Sequence, residues 1–410
     1  METIFIGGLY PNERLDEIKE NTKHLDFAAN TLQWALLNGF EANSYPVKVI
    51  TLPTLRDFLQ YYKKAYFKSS SFSHIKGNED LCLGFVTIPV IKHVSKYLNL
   101  YKSLNNLLKD KDNVHLIIYG IHSPYLKAVK KIKQRNDKIK TCLIVPDLPE
   151  YMSDSKNIIY RLLKSIDKKI ILKSFQYIDS FVLLSQYMAE RLPIGDKPWM
   201  VMEGIYNTND NITNVPKEPY KTILYTGNLA KRYGILDLLE AFTKINSPDF
   251  RLWLCGNGDG LEKIQEIQKR DSRIEYFGIL PRNEVLKLQK RATLLVNPRH
   301  SYEEYTKYSF PSKTMEYMAS GTPTLMSKLP CLPKEYEPYI YFFDDESIEG
   351  MKNKIIEICE KSQEELNEFG KKAAEFIHTQ KNEIAQTKKI IEFISNLDML
   401  RPQIKTKTVK

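Results

Sequence analysis

Short apolar runs alternate along the chain with stretches whose apolar positions recur at helical spacing, almost from end to end. Brief continuous apolar runs suit strands buried on both faces, and the helical period suits the helices that cover them. The pattern therefore predicts an α/β protein built on parallel sheets. In the first half, strands are expected near Thr3–Ile6, Val47–Leu52, Val114–Tyr119, Lys140–Val145 and Ser180–Leu184, with helices near Asn21–Asn38, Pro89–Leu108, Tyr125–Arg135 and Asn157–Ser174. After Gly204 the alternation lapses into YNTNDNITNVPKEPY, whose Asn, Thr and Pro content marks residues 204–220 as a linker.

Alternation then restarts. Strands are expected near Thr222–Tyr225, Arg251–Cys255, Ile274–Phe277, Leu294–Val296, Thr324–Met326 and Ile340–Phe342, separated by helices near Ile235–Lys244, Gly260–Lys269, Arg282–Lys290, Ser312–Ala319 and Ile348–Glu360. The chain thus divides into a first Rossmann-like domain over 1–203 and a second over 221–380. A further helix over 381–400 is expected to pack back on the first domain, ahead of a basic tail over 401–410. Two doubly wound domains facing a central cleft would place a ligand in that crevice.

Length agrees, since 410 residues exceed what one hydrophobic core supports. The five cysteines lie far apart without a Cys-x-x-Cys pair, which supports neither a zinc knuckle nor a disulfide framework. With no apolar run long enough to span a bilayer and no basic leader, a cytoplasmic location is expected.

Charge changes the picture more. Residues 1–200 hold 29 Lys+Arg against 20 Asp+Glu, whereas 201–410 hold 31 against 30, so the excess belongs to the first half. From Phe58 to Asn78 there is no acid, and Lys63, Lys64, Lys68 and Lys76 are interleaved with six aromatics. Cations mixed with aromatics suit the anionic surface of a membrane, to which the protein would attach peripherally at the inner face. A second cluster, Arg161, Lys164, Lys168, Lys169 and Lys173, rides on a helical pattern. Either cluster can equally be a solvated face. No helix-turn-helix, zinc or RNA-binding pattern accompanies the lysines, so nucleic acid is not expected as a partner.

The chemistry concentrates in SFPSKTMEYMASGTPTL, Ser309 to Leu325. Pro311 near the first helical position, Ser309 and Ser312 as caps, and Gly321 past the end delimit a short helix. Its N-terminus offers free N–H groups to a phosphate, while Lys313 and Glu316, three apart, share a face. A cation and a hydroxyl-accepting carboxylate beside an anion site suit a nucleoside diphosphate. In LYTGNLAKRYG, Gly227 ends a strand and Lys231 and Arg232 precede the next helix, where they can clamp two phosphates. Glycine followed by basic residues is common, so alone this stretch is a weak signal, and together with Ser309–Leu325 it becomes much stronger.

In their order, YTGNLAKRYG, LWLCGNGDG, YFGILPRNEV, LLVNPR and YSFPSKTMEYMASGTP resemble the donor-binding half of glycosyltransferase family 4, retaining enzymes of the two-domain GT-B fold. With IVPDLPEYM in the first half, the likeness extends to bacterial enzymes of capsule and exopolysaccharide biosynthesis. It implies a hexosyltransferase that takes a nucleotide sugar, UDP-hexose, and passes the sugar with retention to a glycan acceptor, lipid-linked at the membrane. It places donor contacts at Gly8, Gly227, Asn228, Lys231, Arg232, Ile279, Leu280, Arg299, Tyr308, Ser309, Phe310, Pro311, Ser312, Lys313 and Glu316. The family's His-Asp pair reads Pro146-Asp147 here, which leaves Asp147 as a catalytic candidate, with His122 after another strand as a second. A lone histidine is also an ordinary structural residue, and Gly7-Gly8 is also an ordinary turn.

Two departures stand out. The family often carries two glutamates at this helix; the second is Glu316, but the first position is Tyr308, with Glu303 and Glu304 nearby. The usual Gly-Arg-Leu reads Gly227-Asn228-Leu229, and Tyr233 replaces the lysine that follows, so Lys231 and Arg232 would shift to meet the phosphates. Asp110-Lys111-Asp112 reads as a solvated turn, and no cofactor or metal is expected, the cations of the site taking a metal's role. A GT-B epimerase and a non-catalytic nucleotide-sugar-binding partner of another transferase remain open alternatives.

Overall fold

The computed structural model describes residues 2–22, 25–148, 158–207 and 215–404, with the side chains of 158–164 and 398–404 outside that description. Residues 149–157, which complete IVPDLPEYM, residues 208–214 of the polar stretch, the side chains of Arg161 and Lys164, and the end of the basic tail therefore lie outside the described residues. The chain forms two compact units, Met1–Ile205 with Glu383–Lys410, and Tyr206–Asn382.

The first unit runs β1 (Glu2–Gly7), α1 (Leu15–Asn21), α2 (Phe27–Ala42), β2 (Val47–Thr51), β3 (Tyr66–Phe67), β4 (Ser70–Phe72), β5 (Asp80–Cys82), β6 (Phe85–Val86), α3 (Ile91–Leu107), β7 (Val114–Tyr119), α4 (Ser123–Arg135), β8 (Lys140–Val145), α5 (Ile158–Ser174), β9 (Ser180–Leu183), α6 (Met188–Arg191) and β10 (Trp199–Val201). Its main sheet has the order β10-β9-β8-β7-β1-β2-β5-β4. Every pairing in it is parallel except β4 with β5. The central strands are buried along their length, which is why they read as apolar runs and not as alternation. β1 is followed by β2 on one side and by β7 on the other, so the order reverses between β1 and β7. Ligands of such sheets sit beyond the carboxyl ends of the strands at that reversal.

The helix expected over Asn21–Asn38 starts later, at Phe27, because Asp26 caps it by accepting the Ala29 N–H at 3.2 Å, and the short α1 before it is unexpected. The acid-free segment also departs from expectation. It folds into β3 and β4, and three of its six aromatics, Tyr62, Phe67 and Phe72, are buried.

The second unit runs β11 (Lys221–Asn228), α7 (Ile235–Thr243), β12 (Phe250–Asn257), α8 (Leu261–Gln268), β13 (Ile274–Tyr276), α9 (Arg282–Arg291), β14 (Leu294–Asn297), α10 (Ser312–Ala319), β15 (Thr324–Met326), β16 (Tyr341–Phe342), α11 (Ile348–Cys359) and α12 (Gln363–Gln380). Its strands are all parallel, in the order β13-β12-β11-β14-β15-β16, and the reversal falls between β11 and β14. The last helix, α13 (Glu383–Ile404), belongs to the first unit and lies on α2, where Asn43 Nδ2 donates to Ile384 O at 2.9 Å and to Thr387 Oγ1 at 3.0 Å. Among the described residues no helix is long and apolar enough to cross a membrane.

Candidate active site

In the second unit the reversal point is built from the ends of β11 and β14 and the start of α10. Gly227 and Gly256 are paired across β11 and β12, with φ of 143° and 135°. A Cβ on Gly256 would lie 1.7 Å from the Gly227 carbonyl, so only glycine lets the two strand ends lie flat together. At Gly227 a Cβ would meet nothing nearer than 3.6 Å, and among its neighbours is Lys313 Cε at 4.0 Å. The strand end and the helix start thus lie in contact range of each other, with Tyr225 beside them.

Tyr317 fixes that relation. Its buried hydroxyl donates to Thr226 O at 3.0 Å and accepts from Thr226 N at 2.7 Å, tying α10 to the residue before Gly227. The helix spans Ser312–Ala319 as the sequence predicts, and Met315, Met318 and Ala319 face the core. The expected serine caps are a correction. Pro311 holds the cap position without a side-chain hydrogen bond, and Ser312 is already the first helical residue.

Glu316 is the most constrained group here. Lys313 Nζ and Gln289 Nε2 donate to its Oε1 at 2.9 and 2.7 Å, and Arg282 Nη1 donates to Oε2 at 2.7 Å. Burial works to raise its pKa, but the Lys313 charge and the donors of Lys313, Gln289 and Arg282 outweigh it and hold the carboxyl below its usual range. Oε2 has acceptor capacity left for a hydroxyl. Arg282 and Gln289, both on α9, escape a reading by sequence, since nothing in their spacing marks them as partners of a residue some 30 positions away.

The basic residues after β11 and β14 form an aromatic-lined group. The Lys231 backbone N–H donates to Asp259 Oδ1 at 2.7 Å, and Arg232 Nη2 donates to the Tyr233 hydroxyl at 2.9 Å. Arg299 lies over the Tyr233 ring, its Cζ 4.4 Å from the centroid, and Tyr305 is edge-on to Tyr233 at 6.1 Å. Arg299 Nη1 is buried with no hydrogen-bond partner among the described residues. A guanidinium N–H left in that state at the end of β14 is a donor available to an anion.

The other expected donor contacts are distributed more widely. Tyr308 and Phe310 are buried, and the Phe310 ring packs on Tyr336 with centroids 5.5 Å apart. Ser309 O receives the Cys331 thiol at 3.5 Å. Asn228 closes β11, its carbonyl accepting from the Tyr225 hydroxyl at 2.7 Å. Ile279, 76% exposed, and Leu280 follow β13 at the same carboxyl edge of the sheet. Glu303 and Glu304 border a 3₁₀ turn over Glu304–Lys307. Among the described residues no group of three or more His, Cys, Asp or Glu could hold a metal ion.

In the first unit, Gly8 and His122 stand at the carboxyl ends of β1 and β7, the two strands of the reversal. The Gly8 N–H donates to Gln33 Oε1 at 2.8 Å, and a Cβ on Gly8 would lie 2.3 Å from Thr54 Oγ1. Tyr125, on α4, donates to the carbonyls of Gly7 and Leu52 at 3.1 and 3.2 Å and holds its ring edge-on to His122 at 5.2 Å. Burial, helped by the Lys96 and His93 charges, pushes His122 down to about 4, so its imidazole is neutral at neutral pH. Lys96 Nζ donates to Leu52 O and Pro53 O at 3.2 and 2.9 Å, and burial brings it down to about 7. Asp147 follows β8; its side chain reaches the surface, yet the protein around it, aided by the Asp26 charge, raises its carboxyl to about 6. Lys96 and Tyr125 give no motif in the sequence, being a lysine and a tyrosine at ordinary helix positions.

Residues 207–376 match the family model of the glycosyl transferases group 1. No curated protein matches the sequence. Among solved structures, sucrose-phosphate synthase from Thermosynechococcus elongatus is similar over 97% of this chain and 100% of its own, with a TM-score of 0.63 and 15% identity. A lipopolysaccharide outer core galactosyltransferase, WaaB, is similar over 97% of this chain and 99% of its own, with a TM-score of 0.60 and 15% identity. The pneumococcal O-GlcNAc transferase GtfA, solved with UDP and GlcNAc, is similar over 96% and 99%, with a TM-score of 0.57 and 10% identity. At these identities the likeness is one of fold, and it identifies the GT-B architecture across nearly the whole chain.

Proposed function

We propose that this protein, a glycosyltransferase whose segment 207–376 is a group 1 domain, moves a hexose from a uridine diphosphate sugar to a hydroxyl of a glycan acceptor, with retention. The observation that carries the reading is the start of α10. Lys313 and Glu316 stand there beside Gly227, with the unpartnered Arg299 nitrogen at the end of the adjoining strand. UDP is taken from the ligand of GtfA and of a similar Anabaena protein solved with UDP.

The bond between the anomeric carbon and the β-phosphate oxygen breaks, and its electron pair stays on the leaving diphosphate. The N–H groups at the start of α10, with Lys313, Arg299 and the nearby Lys231 and Arg232, lower the energy of that charge as it develops. The acceptor oxygen bonds the anomeric carbon from the face the phosphate leaves, and its proton passes to a phosphate oxygen. Glu316 takes the ribose hydroxyls. Asp147 and His122 act toward sugar and acceptor, Asp147 as a carboxylate above its raised pKa and His122 as a neutral hydrogen-bonding ring. No cofactor or metal is invoked, the cations of the site supplying the positive charge.

The acceptor in this reading is lipid-linked, at the inner face of the membrane, in assembly of a surface polysaccharide such as capsule or exopolysaccharide. A specific observation favours one other reading. Tyr308 is buried where a sugar-holding carboxylate would otherwise stand, as in a partner that binds nucleotide sugar without turning it over. Acceptor-dependent release of UDP, with the anomeric configuration of the product read by NMR, tests the proposal. UDP release that rises with acceptor and a retained configuration support it; donor binding without turnover on any glycan would favour the non-catalytic reading.

A further inference from the structure

The first unit carries an apolar surface that the donor chemistry does not use. Ile88, Pro89, Val90 and Ile91 are four consecutive exposed apolar residues where β6 turns into α3. Val94 and Leu98 continue the stripe on the exposed face of the helix. Leu59 belongs to the same surface, because the Phe58 N–H donates to Thr87 O at 3.0 Å and so sets the two turns side by side. Exposure across these aliphatic side chains runs from 37% at Ile88 to 79% at Leu59. Consecutive exposed apolar residues mark a functional surface, and a soluble face has no use for them.

Two of these residues carry a second mark. Leu59 and Val90 have φ of 65° and 67°, in the left-handed region that disfavours side chains and especially a β-branched one. Strain of that kind persists where the fold imposes it, and here it holds two aliphatic side chains outward at the tips of adjacent turns.

The rim is basic. From Arg56 to Lys102 the chain holds eight Lys and Arg against three acids. Asp80 is buried against His74, Asp57 is paired with Lys92, Lys64 is paired with Glu17 and Lys96 is buried, which leaves Arg56, Lys63, Lys68, Lys76 and Lys102 against Glu79. Lys63 and Lys64 follow the Leu59 turn, and the Lys64 carbonyl accepts from the Thr87 hydroxyl beside Ile88. An aliphatic ridge with cations at its edge complements an anionic bilayer, where the aliphatics enter the acyl boundary and the lysines meet the headgroups.

We infer that the β6–α3 turn, the α3 stripe and the Leu59 turn form a wedge that inserts into an anionic lipid bilayer. This rests on the proposed lipid-linked acceptor, and it moves the attachment from the aromatics of the 58–78 segment to Leu59 and to aliphatic residues of the β6–α3 turn and α3. Insertion of apolar side chains, with the lysines adding long-range attraction, distinguishes it from adsorption by charge alone.

The test is flotation of the full chain with phosphatidylglycerol-containing and with pure phosphatidylcholine vesicles, comparing wild type with a variant carrying Leu59→Ser, Val90→Ser, Ile91→Ser and Val94→Ser. All four positions are exposed, so folding should persist, and circular dichroism with UDP binding checks it. Wild type should float with the anionic vesicles, and the variant should lose about tenfold or more in partitioning while keeping UDP affinity. In a Val94→Trp variant the tryptophan emission should shift to the blue on anionic vesicles. Equal flotation of wild type and variant, no flotation of wild type, or self-association of wild type in vesicle-free solution that the variant lacks, would each overturn the wedge. Wild-type flotation without UDP binding would leave the wedge standing and count against the transferase reading alone.

Discussion

In the proposed reading, one helix turn carries Lys313 for the diphosphate and Glu316 for the ribose. Their mutual contact at 2.9 Å is one of three that keep Glu316 ionised and in place. Lys313→Ala should weaken UDP binding by about 1.5–3 kcal/mol, the scale of a hydrogen bond to a charged group, as read by calorimetry. Glu316→Gln should weaken UDP but spare its 2′,3′-dideoxy analogue; equal losses for both would remove Glu316 from the ribose. The protein around Asp147, aided by the Asp26 charge, raises its carboxyl to about 6 although its side chain reaches the surface. If transfer needs the carboxylate, the rate should fall about tenfold per pH unit below that value, and Asp147→Asn should be slow at every pH with UDP affinity unchanged. A wild-type rate in the Asn variant would reduce Asp147 to a loop residue.

At the scale of elements, what the sequence shows and hides follows from what each signal measures. β7, β8, α10 and β15 match their predicted bounds, because each is a continuous apolar run or a helix punctuated by Pro and Gly. α1 and the late start of α2 hid because the helical period reads as one helix from Asn21, and β3 to β6 hid because they are two or three residues long with no helix between them, whereas β15 follows α10. The partners of Glu316 were illegible because α9 and α10 approach through the fold. The tie between α10 and β11 is testable by Tyr317→Phe, which leaves the buried Thr226 N–H without its acceptor and should cost about 1–3 kcal/mol in chemical denaturation. On α3, burial lowers Lys96 from 10.5 to about 7, so between those values the unfolded chain binds more protons than the folded one. Stability therefore rises with pH across that window, by at most about 1.4 kcal/mol per unit, and is lost again as pH falls toward 7. Lys96→Met should flatten that slope.

Over the whole molecule, the two α/β units were legible from alternation that lapses once and restarts. The site was legible only where motifs are local. The uneven charge of the two halves suggested an anionic surface as partner, but which side chains are exposed was not readable, since exposure of Val90 or Leu59 depends on how turns far apart in sequence come together. The central claim is that the second unit binds a uridine diphosphate sugar through the start of α10. Thermal unfolding of wild type and Lys313→Ala across a panel of nucleoside diphosphates tests it most directly. UDP at about 100 times its dissociation constant should add about 2.7 kcal/mol to wild type and much less, at the same concentration, to the variant. No stabilisation by any nucleoside diphosphate, or equal stabilisation of both proteins by UDP, would contradict it.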